Sequence, residues 1–336
     1  MVESVASKLP PCQGSLMARS GRLVWVKSVL RAVPIYAMTA DGLPPWARKE
    51  IDAICRKFFW AGRDESIRGK CMVAWEAVCR PSGGLGVSDL RLAGYALQTR
   101  WLWLQKTDQD RAWSQLPIKV DTKEHRFFRA STLTVVGDGR STLFWDDNWI
   151  NGQSAQDIAP ALSQFVPARM HRQQTVRQGL TDRQWVRAIA GGLSVPAIAN
   201  YLSLWELTEA IQLSDQPDRT IWSWTPSGSY TTKSAYNMLH TGAIKFRGHR
   251  LIWNTWAPLR VKIFLWLAFR RRHWTGDRRL RHGLDAREQC YLCDQAQETI
   301  DHIVASCPYT REIWTIILHA FGRLLPPATQ SIVSWW

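Results

Sequence analysis

Acidic side chains are scarce in this chain. Only 28 Asp and Glu stand against 43 Lys and Arg in 336 residues, a formal net charge of +15, so a polyanionic partner is the first expectation. Long hydrophobic runs are lacking too. The most apolar stretch, Val261 to Phe269, has nine residues and would extend about 13.5 Å as a helix, far short of a bilayer. Met1 to Gln13 holds no continuous apolar core after a basic start, so no signal peptide is expected. Cysteine is sparse: of seven, Cys12, Cys55, Cys71 and Cys79 show no framework spacing, which points to reduced thiols and to the nucleus or cytoplasm. No Lys-Ser or Lys-Thr follows Gly83-Gly-Leu-Gly86, so this stretch reads as a turn and not as a phosphate loop. No long internal repeat is present. With 46% hydrophobic and 21% charged residues the chain is globular in composition; its 20 tryptophans are unusual, some of them core, and in a basic protein aromatics can also stack on bases.

The remaining three cysteines cluster. Cys290-Tyr-Leu-Cys293 is followed by His302 and Cys307, the ligand set of a closed tetrahedral zinc site. A filled shell leaves no position for water and argues for a structural metal. The alternative is a set of unrelated core thiols with a surface histidine. Glu298 to Ser306 reads as a short helix carrying His302, and Cys307-Pro308 opens another, with proline at the first helical position. Glu298, four residues before His302, is the expected acceptor for the imidazole's second N–H.

Upstream, residues 14 to 105 read as helical. Ser20 caps a helix with Leu23, Val26, Leu30 and Val33 on one face, ended by Pro34. Pro44-Pro45 opens a second, with Ile51, Ile54 and Phe58 inward. Ser88 or Asp89 caps a third, with Leu90, Leu97, Trp101 and Leu104 on one side. Two β-hairpins are expected. One pairs Thr132–Val136 with Ser141–Trp145 around Gly137-Asp-Gly139, and the other pairs Thr220–Trp224 with Ser229–Thr232. Residues 151 to 180 read as a connector, and helices are expected from Asp182 and from Lys233 to about Leu239.

These blocks resemble a known family. Gly21-Arg22 through Leu30, Pro34-Ile-Tyr36, Phe58-Phe-Trp60-Ala-Gly62, Trp75 through Pro81 and Gly83-Gly-Leu-Gly86 are similar to the region after the polymerase palm in plant non-LTR (LINE-type) retrotransposon reverse transcriptases. The series continues through Val136-Gly-Asp-Gly139 and Phe144-Trp145-Asp-Asp147-Asn-Trp149 to the Cys/His cluster, which resembles the reverse-transcriptase zinc-binding domain. The resemblance implies a helical thumb-like region (14–105), a connecting region with a β-hairpin (106–218) and a zinc-binding domain (219–325). The expected fold class is mainly α with short β-hairpins (α+β). It also implies the C-terminal part of a reverse transcriptase, or a relic copy, lacking the palm and so not an enzyme on its own.

In such enzymes an aromatic-x-Asp-Asp box holds magnesium. Here Asp146 and Asp147 fall on an outgoing strand, with no evident third carboxylate and after the thumb-like segment, so they read as a structural pair.

Between Arg250 and Glu288, ten basic side chains face three acidic ones, interleaved with Trp253, Trp256, Trp266 and Trp274. Arg270, Arg271, Arg272, Trp274, Arg278, Arg279 and Arg281 are the candidates for clamping phosphates and stacking on a base. His273 and His282 read as polar surface residues. The expected partner is RNA or DNA, with an upstream polymerase region or a partner protein as further possibilities. The rival to nucleic-acid binding is a protein-interaction module built on Ile313, Trp314, Ile317, Leu318 and Phe321.

Overall fold

The computed structural model describes residues 1–10, 16–62, 71–81, 83–108, 110, 120–242, 246, 248–327 and 331–332. Cys12 lies outside the described residues. The described residues are mainly helical, with one small antiparallel sheet among them. Its contacts form two compact units, one of residues 1–36, 43–90 and 240–336, the other of residues 37–42 and 91–239. This grouping differs from three consecutive segments. The N-terminal helices share a unit with the Cys/His cluster, whereas residues 91–105 and 219–239 fall with the middle of the chain.

In the first unit, helix Arg19–Trp25 runs into a π-helical turn, Val26–Leu30, burying Leu23, Val26 and Leu30. Helix Pro45–Ala61 starts at the expected proline and buries Ile51, Cys55, Phe58 and Phe59. Arg31, 2% exposed, pairs with Asp52, which also accepts Trp75 Nε1 at 3.0 Å. Helix Leu259–Phe269 is apolar on most faces and is correspondingly buried from Leu265 to Phe269. Its Trp266 Nε1 donates to the carbonyl of Gly83 at 2.7 Å. Gly83 has φ of 114°, and a Cβ there would meet Phe246 Cβ at 2.4 Å, so the glycine turn admits the C-terminal segment by having no side chain.

In the second unit the expected hairpins do not form. Their leading strands pair with each other instead: β1 (Thr132–Val135) lies antiparallel to β2 (Arg219–Trp222), with Thr132 opposite Trp222. Asp218 explains the first failure. Its Oδ1 accepts the N–H groups of Gly137 and Gly139, and its Oδ2 those of Ser141 and Thr142, so 137–142 wraps around a carboxylate. At the end of β2, Trp222 N–H bonds Gly228 O at 2.7 Å, and the chain enters helix Thr232–Met238, capped by Thr231 and within one residue of the bounds expected for it.

The stretch 151–180 is no connector. Its Ala155, Ala159, Leu162 and Val176 are buried with Phe144, Trp145, Trp149 and Trp185 in one aromatic core, and small alanines admit the close approach of short helices. Helix Val195–Glu209, absent from the expectation, packs Leu204 on the same core. Helix Leu90–Thr107 buries Ala96, Thr99 and Leu102 more fully than Leu97, Trp101 and Leu104.

Candidate metal centre and the arginines around it

The ligand-bearing segment begins as a small hairpin. Gln289 bridges Gln297, Cys290 N–H bonds Ala296 O at 2.8 Å, and Glu298 N–H bonds Glu288 O at 2.9 Å. At its tip Asp294 takes a left-handed φ of 63° and donates to Cys290 O at 2.9 Å, which folds Cys293 back over Cys290. A backbone N–H, that of Leu292, points at Cys290 Sγ at 3.4 Å.

His302 enters from the other side. Thr299 Oγ1 accepts its N–H at 3.0 Å, and the π turn His302–Ser306 closes with Cys307 N–H on His302 O at 2.7 Å. Cys307 then caps helix Pro308–Ala320, with proline at the first position as expected.

The three sulfurs and the imidazole nitrogen all lie within 4.8 Å of one another, with Cys293 Sγ 3.3 Å from His302 Nε2. Tetrahedral Zn–S bonds of about 2.3 Å set sulfurs about 3.8 Å apart, so one ion can reach all four donors with small adjustments. Burial pushes the Cys290 thiol upward. The backbone N–H of Gln295 leads the contacts that hold Cys293 below the usual thiol range. Thiolates are the ligating form. The residues therefore fit a metal of this kind.

Glu298 does not take the expected role. The helical turn begins only at Ile300, so the i,i+4 relation to His302 is lost. Its carboxylate instead accepts Gly276 N–H at 2.9 Å and lies 3.5 Å from Tyr291 N, joining the start of helix Gly276–Arg281 to the hairpin. Gly276 is required there, because a Cβ would meet Arg287 O at 2.6 Å.

The arginines divide into two groups. Arg270 donates to Gly83 O at 2.9 Å and lies over the rings of Phe246 and Trp266, and burial lowers its pKa. Arg278, 7% exposed, bonds the carbonyl of Arg272 and covers Trp274, its guanidinium 4.5 Å from the ring centroid. These two are parts of the fold, contrary to the expectation that all seven candidates face a ligand.

Arg271, Arg272, Arg279 and Arg281 are exposed. Arg271 pairs with Asp301 at 2.7 Å, Arg281 pairs with Asp277, and Arg279 donates to Asp285 O at 2.9 Å. Arg272 lines a cleft of about 600 Å³ with Arg56 and Lys57 of helix Pro45–Ala61, two cations more than two hundred residues away in the chain. Trp256, 98% exposed, is far more open than Trp274 at 40%. Its position between the polar pair Asn254-Thr255 and Pro258, in Asn254-Thr-Trp256-Ala-Pro258, was the available signal. His273 bonds Phe264 O at 3.0 Å, and His282 packs edge-on to Trp274, so neither joins the cluster.

In the second unit Asp146 and Asp147 hold cations. Asp147 pairs with Lys106 and accepts Leu143 N–H at 2.7 Å, while Asp146 lies 3.3 Å from His171 Nδ1 and 3.8 Å from Arg129. Both carboxylates are thus tied by ion pairs and are not merely solvated.

Residues 230–314 match the family described as zinc-binding in reverse transcriptase. The chain is also 25% identical over 355 residues to an Arabidopsis thaliana protein that carries the provisional name ribonuclease H protein. That alignment takes in 95% of this chain and 55% of the relative, so the chain spans about half of the relative's length. All four cluster ligands fall inside the matched segment. The part of this chain that gathers the three cysteines and His302 is thus similar to the zinc-binding domain of reverse transcriptases, in a protein with a plant relative along almost its whole length.

Proposed function

We propose that this protein binds nucleic acid, template RNA or target DNA, on the basic face of its first unit, with one structural Zn2+ at Cys290, Cys293, His302 and Cys307. The observation that carries the reading is the cleft formed by Arg56, Lys57 and Arg272, whose described lining contains three cations and no carboxylate. Phosphate oxygens match that field, and Arg271, Arg279 and Arg281 extend it along the exposed surface. Trp256 offers a stacking platform for an unpaired base. Four protein donors complete a tetrahedron, so the metal holds the module together and leaves no site for water.

In this reading the chain has no polymerase chemistry of its own. Asp146 and Asp147 are engaged by Lys106, Arg129 and His171, which supports a structural use, and polymerisation belongs to a palm supplied elsewhere. The matched family supports the link to reverse transcription. The free, buried Cys55 and Cys79 suit a reducing compartment, nucleus or cytoplasm.

The test is binding of a labelled single-stranded RNA or DNA across a salt series. Affinity is expected to fall on a log–log plot with a slope of about 0.7 to 0.9 per neutralised phosphate. Arg56→Gln, Lys57→Gln and Arg272→Gln together are expected to reduce that slope by about two to three. Salt-independent binding, or none, removes the proposal. It would favour the second reading, a protein-interaction module, for which helix Pro308–Ala320 and the residue after it leave Ile313, Ile316, Ile317 and Phe321 exposed.

A further inference from the structure

The second unit contains a cavity of about 660 Å³ beside the Phe144-Trp-Asp-Asp147 block, a size suited to a small molecule. Its two carboxylates are already engaged, Asp147 by Lys106 and Asp146 by His171 and Arg129. Arg126 and Arg172 line the same cavity with exposed side chains, so its wall carries four cations against two acids. The excess charge sits on two guanidiniums, whose planar forks match phosphate oxygens.

The rest of the lining is not that of a bare anion site. Leu102 and Phe128, 6% and 8% exposed, supply an apolar wall, and Gln105 adds an amide with both donor and acceptor capacity. His125 also lines the cavity. Burial, and then the charge of Arg172, lower its pKa despite the opposing pull of Asp146, so it is a neutral imidazole at pH 7.

We infer that this cavity binds one nucleotide, its phosphate held by Arg126 and Arg172 and its base lying on Leu102 and Phe128 with Gln105 at the base edge. An apolar ligand would leave the guanidiniums without a partner, and an inorganic anion would leave the apolar wall uncovered. A nucleotide uses both. The inference concerns residues separate from the cleft of Arg56, Lys57 and Arg272, and it stands whether or not that cleft binds nucleic acid.

The experiment is a calorimetric titration of the full zinc-loaded chain with a pyrimidine and a purine 5′-nucleoside monophosphate, the matching nucleosides, and inorganic phosphate. A nucleoside monophosphate is expected to bind more tightly than either of its parts. Arg126→Gln combined with Arg172→Gln is expected to weaken it by about tenfold or more, since hydrogen bonds to charged groups have that weight. Both arginines are exposed, and unchanged circular dichroism and zinc content verify that the variant folds. Arg56→Gln with Lys57→Gln is expected to leave this affinity unaltered, which separates the cavity from the basic cleft. As a second readout, the imidazole of His125, followed by NMR, is expected to titrate at higher pH once phosphate lies beside it. Equal affinity for inorganic phosphate, an unaffected double variant, or no binding at millimolar concentration overturns the assignment.

Discussion

Asp218 takes the N–H of Gly137 at 2.8 Å although 81 residues separate them in sequence. The same carboxylate accepts Gly139, Ser141 and Thr142 N–H groups and the Thr142 hydroxyl at 2.7 Å. The Val136-Gly-Asp-Gly139 block is therefore a backbone cradle for an acid at the start of β2, and it fixes the register in which β2 meets β1.

Asp218→Ala removes the acceptor from that cradle. Leaving part-buried donors without a partner costs about 2 to 3 kcal/mol, read as a lower urea midpoint with an unchanged slope. The effect depends on pH in a definite direction. Burial raises the carboxyl's pKa, but the bonds from Thr142 and the Gly137, Gly139 and Ser141 backbone outweigh it and hold the folded value below the usual range. The ionised form is thus favoured in the folded state. Its contribution is complete above the unfolded-state pKa, about 3.9, and is lost as pH falls through the lower folded value. The gap between wild type and variant is expected to be constant at neutral pH and to narrow in strong acid. A gap that widens on acidification contradicts this account.

Removal of the metal is expected to unfold the C-terminal module. Native mass spectrometry should find one zinc per chain. A strong chelator should abolish the near-ultraviolet signal of buried Trp266, because the small ligand-bearing hairpin buries little apolar surface of its own. Cys307→Ala is expected to lose the ion, whereas Cys71→Ala, an exposed thiol away from the cluster, retains it. Retention of zinc by the Cys307 variant sinks the ligand assignment.

The clustering of the three cysteines and His302 was legible because the pattern is local: four donors within eighteen residues need no knowledge of the remaining fold. Helix Pro45–Ala61 was legible for a similar reason, since Pro44-Pro45 and the spacing of Ile51 and Phe58 define it without tertiary help. The hairpins were not. Thr132–Val135 and Arg219–Trp222 carry strand propensity, but nothing in either states that its partner is the other, and Asp218 acts only once the two are together. The inward contacts of Arg270 and Arg278 were not legible, because clustering in sequence reports charge and not direction. The carbonyls they bond, those of Gly83 and Arg272, become visible only in three dimensions.

Two tryptophans of the basic segment should separate stability from binding. Trp266 is fully buried and bonded to Gly83 O, so Trp266→Ala is expected to destabilise the first unit by about 3 to 5 kcal/mol. Trp256 is exposed over nearly its whole surface, so Trp256→Ala should leave the melting temperature unchanged. Loss of a stacking platform should instead weaken single-strand binding by about 1 to 3 kcal/mol. Full affinity in the Trp256 variant removes it from the interface.

Arg278 and Arg281 provide the sharpest contrast, since they are three residues apart on one short helix and have opposite surroundings. Arg278 is buried against Trp274 and bonded to the Arg272 carbonyl, and desolvation lowers its pKa. Arg278→Gln shortens the side chain and removes the cation over the ring, leaving that carbonyl without its donor, which costs about 1 to 3 kcal/mol of stability. Arg281 is exposed and paired with Asp277 at i,i+4, an interaction of about 0.3 to 0.5 kcal/mol. Arg281→Gln should scarcely move the unfolding midpoint, but it should reduce the salt slope of nucleic-acid binding by about one. Thermal melts and salt titrations on the two single variants decide the matter. A lower melting temperature for Arg281→Gln with an unchanged salt slope would show that its charge serves the helix, and the phosphate-facing surface would then have to be drawn without it.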